Sequence, residues 1–226
     1  MVGKFPIIGI TTPNPWSSPE EEASAILRLM GEKSDARSIR SSISSYHQIP
    51  IDIFHLRKPL VPQKYILSLL RHIPESMYSR IVVHFSGDSE AIPHSLGVHL
   101  TGYRSYSPNQ IKELTGDRIV SRSCHKLSEF DDSTLSSYFT YSFLSPVFDS
   151  VSKPGYNSNF SLDDAVLRSY ADKFKIIALG GVVPEKFDKL FNSKFAGAAL
   201  LGYLWSPKSP LEDKIDNLLY YKQKFL

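Results

Sequence analysis

The chain has 226 residues, of which 42% are hydrophobic and 22% charged, and a formal net charge of +3. That composition suits a globular chain with a substantial core, and the small charge without a dense Lys/Arg stripe argues against nucleic acid as a partner. Cys124 is the only cysteine, which excludes an internal disulfide framework and a cysteine-built zinc site; no stretch reaches membrane-spanning length, so a cytoplasmic location is the default.

Short apolar runs alternate with segments of helical period. Phe5–Ile10 reads as a first strand, and Ser18-Pro19-Glu20-Glu21 as a capping box opening a helix to about Met30. Gly31–Ser45 is polar and ambiguous. Ile51–Leu56 is a second strand with a helix over Pro62–Ile73, and Arg80–Phe85 a third. Gly97–Leu100 is a short fourth, followed by a capping box at Ser107–Gln110. Ile119–Ser123 is the fifth, with a weak helix at Leu127–Phe130. Tyr138–Leu144 is the sixth, and Ser161–Asp164 caps a helix to about Lys173. Ile176–Leu179 is the seventh, with a helix over Pro184–Phe191; Gly197–Leu201 is the eighth, and a closing helix starts near Pro210.

Eight strand–helix units predict a single-domain α/β protein spanning 1–226, a (β/α)8 TIM barrel. An open doubly wound sheet is disfavoured, because no G-x-G-x-x-G follows the first strand. In such a barrel the chemistry sits at the C-terminal ends of the strands, and phosphate is commonly held after strands seven and eight.

Two strand exits have the composition of an anion site. Phe143–Tyr156 is an apolar run that opens into Ser150, Ser152, Lys153 and a Pro154-Gly155 turn: two hydroxyl donors, a compact positive charge and a reversal. Ile176–Gly181 ends in Gly180 and Gly181, where a ligand can approach backbone N–H groups. Four histidines, His55, His84, His99 and His125, fall near strand ends, either as proton carriers or as polar caps of the rim. No H-x-H or H-x-x-x-H pair occurs among them, so no metal ligands are assigned. Arg57-Lys58 forms a basic cluster at the exit of strand two, read either as a substrate contact or as a solvated rim pair.

Gly97–Leu100, Ser123–Glu129, Leu144–Phe148 with Ser150–Lys153, and Ala178–Val182 together resemble the thiamine phosphate synthase/TenI family, in its order and spacing, over about residues 50–205. The resemblance implies a (β/α)8 barrel in thiamine biosynthesis acting on hydroxyethylthiazole phosphate. One branch condenses that phosphate with hydroxymethylpyrimidine diphosphate, releasing diphosphate. The TenI branch aromatises a carboxythiazole phosphate by a proton shift. A non-catalytic or regulatory barrel that only binds thiazole or thiamine phosphate is the alternative.

The resemblance also implies roles. Ser150, Ser152, Lys153, Gly180 and Gly181 would hold phosphate. His55, Arg57 and Lys58 stand where the synthase has a cluster near the pyrimidine diphosphate. His84, Arg104 and Ser123 would line the same site, and His125 occupies the place of TenI's acid/base histidine. The synthase holds magnesium with acids after strands three and four. Here those positions read His84-Phe85-Ser86 and Gly102-Tyr103-Arg104, so magnesium, the cofactor a synthase would use, lacks its matching ligands; Asp88 is close but out of register. Arg104 could neutralise a diphosphate directly. The implied partners are the phosphorylated thiazole and the pyrimidine diphosphate, with a homodimer open by analogy.

Overall fold

The computed structural model describes residues 5–32, 49–85, 93–102, 106–131, 133–149 and 160–225. Eight parallel strands close into a barrel in chain order: β1 (Ile7–Ile10), β2 (Ile53–Leu56), β3 (Ile81–Phe85), β4 (Gly97–Leu100), β5 (Val120–Cys124), β6 (Tyr141–Leu144), β7 (Ile176–Ala178) and β8 (Gly197–Leu200). The ring shuts where Ile8 pairs with Ala199 on one side and with Ile53 on the other. The helices are α1 (Pro19–Leu29), α2 (Gln63–Arg71), α3 (Pro108–Leu114), α4 (Ser133–Ser136), α5 (Ala165–Ala171), α6 (Phe187–Asn192), α7 (Gly202–Trp205) and α8 (Leu211–Lys222). The expected (β/α)8 barrel is the observed fold.

Strands buried on both faces explain the near-continuous apolar runs. Alternate residues divide between two cores. Phe54 and Leu56 of β2 pack outward with Ile26 and Leu29 of α1 and Leu69 of α2. Ile8, Ile10, Ile53, Val82, Tyr141, Phe143, Ile177 and Ala199 fill the lumen. The lumen is apolar along β6, β7, β8 and β1, and turns polar along β2 to β5, where His55, His99 and Ser121 are buried.

Local signals set most boundaries. Ser107 forms the full reciprocal capping box with Gln110. At Ser18 only half forms: its hydroxyl accepts from the Glu21 N–H at 3.1 Å, while the Glu21 carboxylate accepts from the Ser17 hydroxyl. The expected cap near Ser161 moves to Asp164, whose carboxylate accepts from the Val166 N–H at 2.8 Å. The sixth strand starts at Tyr141 rather than Tyr138, because α4 and the turn after it take up the preceding residues. Three elements go unforeseen: a 3-10 segment at Glu75–Arg80 that leads into β3, the short α4, and α7, which starts directly after the eighth strand's expected end at Leu201.

Beneath the barrel, Asp52 accepts from the Ile7 N–H at 2.8 Å and from Lys222 at 2.7 Å, and Lys222 also reaches the Ile49 carbonyl. Arg80 stands close by, donating to the Asp52 and Ile51 carbonyls at 2.8 Å. This cluster fastens α8 to the N-terminal ends of β1 and β2. Removing one partner of a buried pair leaves the other charge uncompensated. Lys222→Ala should therefore cost about 3 kcal/mol, with Arg80 limiting the loss. The urea unfolding midpoint measures it, and a wild-type midpoint would show that the pair contributes nothing.

Candidate functional site

The inward row at the upper level of the barrel follows from register. His84 pairs with His99, His99 with Ser121, and Ser121 with Tyr141, so all four side chains share the lumen; His55 enters from β2. The His55 Nδ1 lies 3.2 Å from the His84 Nε2, and its Nε2 lies 2.6 Å from the Tyr141 hydroxyl. His99 is held by the Ser121 hydroxyl at Nδ1 (2.9 Å) and by Ser123 at Nε2 (3.1 Å). The His84 and His99 rings stack with centroids 4.2 Å apart, and Phe143 closes the apolar side 4.9 Å from His55.

Burial disfavours the charged form of each ring. His55 is held well below its ordinary pKa by burial and by His99. His84 is likewise lowered by burial, by the other two rings and by the Arg57 charge. His99 is pushed down to about 3, first by burial and then by Arg57. Three neutral imidazoles therefore meet here, and a positive guanidinium stands near them. A clip places Arg57: its N–H donates to the Thr11 hydroxyl at 2.9 Å, and that hydroxyl donates back to the Arg57 carbonyl at 3.1 Å.

The neighbouring Lys58 is directed elsewhere. Its ammonium, 1% exposed, pairs with buried Glu22 of α1 at 2.6 Å and donates to the Asn14 carbonyl at 2.6 Å. Glu22 also accepts from Tyr65, whose hydroxyl takes the Trp16 N–H. The structure thus does not bring Lys58 together with Arg57. It uses Lys58 to brace the β1 and β2 exits against α1.

Across the mouth, His125 follows β5 and is exposed. Its N–H donates to Glu129 at 2.9 Å, and its Nδ1 lies 2.8 Å from the Ser145 carbonyl. A carbonyl can only accept, so Nδ1 carries the proton and Nε2 keeps a lone pair whenever the ring is neutral. The same Ser145 approaches Gly180, where an added Cβ would sit 2.8 Å from the Pro146 Cα. Gly180 and Gly181 both have positive φ, and a Cβ on Gly181 would lie 2.4 Å from the Asp149 carbonyl oxygen. These two residues let the β6 and β7 exits lie against each other, joined from the Val147 N–H to the Leu179 carbonyl and from the Phe148 N–H to the Gly180 carbonyl. Among the described residues, neither glycine N–H has a partner. Ser150, Ser152, Lys153 and Arg104 lie outside the described residues.

Several groups here carry no specific signal in the sequence. His99 appears in the sequence only as a histidine near a strand end, and Ser121 and Tyr141 as strand residues; pairing with β3 and β5 is what brings them into one row. Lys186 reads as a helix residue, yet it donates to the Gly181 carbonyl at 3.0 Å and lies 4.0 Å over the Phe148 ring. Burial lowers its pKa, and Asp149 opposes that shift. Beside the β1 and β8 exits lies a cavity of about 330 Å³ lined by Thr12, Trp16, Leu204, Trp205 and Lys214.

Residues 32–204 match the family model described as thiamine monophosphate synthase. The chain belongs to this family. No curated protein matches it in sequence. Among solved structures, it is similar to the thiamine phosphate pyrophosphorylase of Bacteroides thetaiotaomicron at 24% identity, with a TM-score of 0.65 over 97% of this chain and 96% of that one. The Pyrococcus furiosus thiamine phosphate pyrophosphorylase matches at 15% identity and a TM-score of 0.66, over 99% and 98% of the two chains. The (S)-3-O-geranylgeranylglyceryl phosphate synthase of Thermoplasma acidophilum matches at 11% identity and a TM-score of 0.56, over 98% and 94%. At these identities the likeness shows the barrel. In this member of the thiamine monophosphate synthase family, no described helix is long and apolar enough to cross a membrane.

Asp88 and Glu90, the acids that follow β3, lie outside the described residues. The described residues of β3, β4 and their flanks, 81–85 and 93–102, contain no carboxylate, and the described donors in the lumen are imidazole nitrogens and hydroxyls, a set that does not by itself suit magnesium. Magnesium prefers oxygen ligands in near-octahedral array.

The buried histidines make stability depend on pH. Unfolded histidine titrates near 6.5, whereas folded His99 resists protonation down to about 3. Between those values the unfolded chain binds more protons than the native one, so stability is full above about pH 6.5 and falls as pH drops. His99 alone contributes a slope of about 1.4 kcal/mol per pH unit. In chelator-treated buffer, His99→Gln should therefore lose stability less steeply than wild type from about pH 6.5 to 4. Parallel urea-midpoint curves for the two proteins would rule this out.

Proposed function

We propose that the chain is a thiamine-pathway enzyme that holds a thiazole phosphate across the mouth and moves a proton on it with His125. One observation carries this reading: the Nδ1–H of His125 is committed to the Ser145 carbonyl, which leaves Nε2 as the base of an exposed ring beside the β6–β7 junction. The phosphate goes to that junction, on the Gly180 and Gly181 N–H groups with Ser150, Ser152 and Lys153. The base takes a proton from one carbon of the dihydrothiazole and returns it at another, so that the ring becomes aromatic with no net change in atoms. Histidine suits such a shuttle because it gains and loses a proton near neutral pH.

Arg57 supports a second reading, condensation with a pyrimidine diphosphate. Its charge stands on the opposite rim from the β6–β7 junction, above three neutral rings able to meet a heteroaromatic face. In that reading Arg57, with His55, His84, Ser123 and Arg104, would receive the diphosphate substrate. Lys58 contributes indirectly, through its ion pair with Glu22.

Purified chain supplied with carboxythiazole phosphate tautomer should aromatise it. His125→Asn should lower the rate about 10²- to 10⁴-fold with product affinity nearly unchanged. An unaffected rate removes His125 as the base. Thiamine phosphate formed from both synthase substrates, and weakened about tenfold or more in Arg57→Ala, would establish the second reading instead. Tight product binding without turnover in either assay would leave a binding protein.

A further inference from the structure

We propose that His55, His84 and His99 form a three-nitrogen site for a borderline divalent transition ion of the zinc class. Its open fourth position would face the barrel mouth. Each ring offers one nitrogen, and the three lie within 4.8 Å of one another. His55 and His99 are almost wholly buried and His84 is half-buried at the rim.

For two of the three rings the surroundings supply what a ligating imidazole requires, a partner for the second nitrogen that fixes ring and tautomer. In the tautomer whose Nε2–H is given to the Tyr141 hydroxyl, 2.6 Å away, His55 presents its Nδ1 lone pair toward His84. With its Nδ1–H given to Ser121, 2.9 Å away, His99 would ligate through Nε2, which the Ser123 hydroxyl now at 3.1 Å would release. The His55 Nδ1 and His84 Nε2 stand 3.2 Å apart. Two nitrogens bonded at about 2.0–2.1 Å to a tetrahedral ion are about 3.3–3.4 Å apart, so this pair already has the required bite.

One ring must also move. The His84 and His99 planes differ by 29°, too nearly parallel for both to aim at one ion. His84, the less buried ring, must turn about its Cβ–Cγ bond. Neutral nitrogen donors select zinc-like ions over magnesium. The Arg57 charge near His84 and His99 disfavours a bare cation. The fourth ligand is therefore an anionic oxygen, hydroxide or phosphate. None of this depends on which phosphorylated substrate the chain takes.

The whole chain, stripped with chelator, is titrated with Co²⁺ and then Zn²⁺. One equivalent of Co²⁺ should give the strong visible bands of a four-coordinate site, and Zn²⁺ should abolish them while millimolar Mg²⁺ does not. His84→Gln at the rim and His99→Gln should each weaken binding at least about 100-fold. X-ray absorption of zinc-loaded wild type, which needs no variant to fold, should count three imidazoles. No stoichiometric binding, fewer than three imidazoles, or full affinity in both variants overturns the site. Turnover in metal-free buffer would leave the metal site and the proposed activity separately decided.

Discussion

Everything at the mouth depends on closure of a short parallel ladder. Once β8 pairs with β1, side chains of alternate residues must enter a lumen that water cannot share. Ile8 and Ala199 shut the ring with apolar groups. The strands opposite them then carry polar residues into the same enclosed space, where each needs a partner. The histidine row is the result. His55 is bound by Tyr141 and His99 by two serines, and burial keeps the rings neutral. A shift of one residue in β4 would send His99 outward and bring Val98 or Leu100 inward, dissolving the row.

Charge at the rim is divided by the same logic. Arg57 and Lys58 are adjacent in sequence, so a linear reading makes them one basic cluster. Adjacent residues leaving a strand point to opposite sides. Lys58 turns to Glu22 on the helix side, and Arg57 stays close enough to the lumen to depress two histidines. A buried lysine is tolerated because Glu22, Asn14 and the Tyr65 ring surround it. Of these two cations, the one near the lumen is guided by a lysine directed away from it: the Lys58–Glu22 pair and the Thr11 clip hold the backbone on which Arg57 stands.

What the sequence makes legible follows the range of the interaction. Strands and helices are local, and so the alternation of Ile53–Leu56 with the amphipathic run after Gln63, or the box at Ser107, can be read directly. Misplaced ends also have local causes, such as Asp164 outcompeting Ser161 as a cap. The histidine site is not local. His55, His84 and His99 are separated by whole strand–helix units and share no motif spacing, so the absence of an H-x-H pair says nothing about their meeting in space. Only strand register joins them. His125 lies between these cases: its place after β5 is readable, but the carbonyl that fixes its tautomer comes from the β6 exit.

Gly180 and Gly181 show why a correct residue can be noticed for an incomplete reason. In sequence they suggest open N–H groups for an anion. In the fold they are required first by packing, since their φ values of 90° and 62° and the nearby Pro146 and Asp149 backbone leave no room for a side chain. The two demands are compatible. By admitting the β6 exit against β7, the glycines bring the start of the Phe143–Tyr156 segment beside their own N–H groups, which have no partner among the described residues. The packing contact and the proposed anion site are therefore the same place seen from two sides. A substitution at either glycine would therefore disturb the loop before it reported on the proposed phosphate.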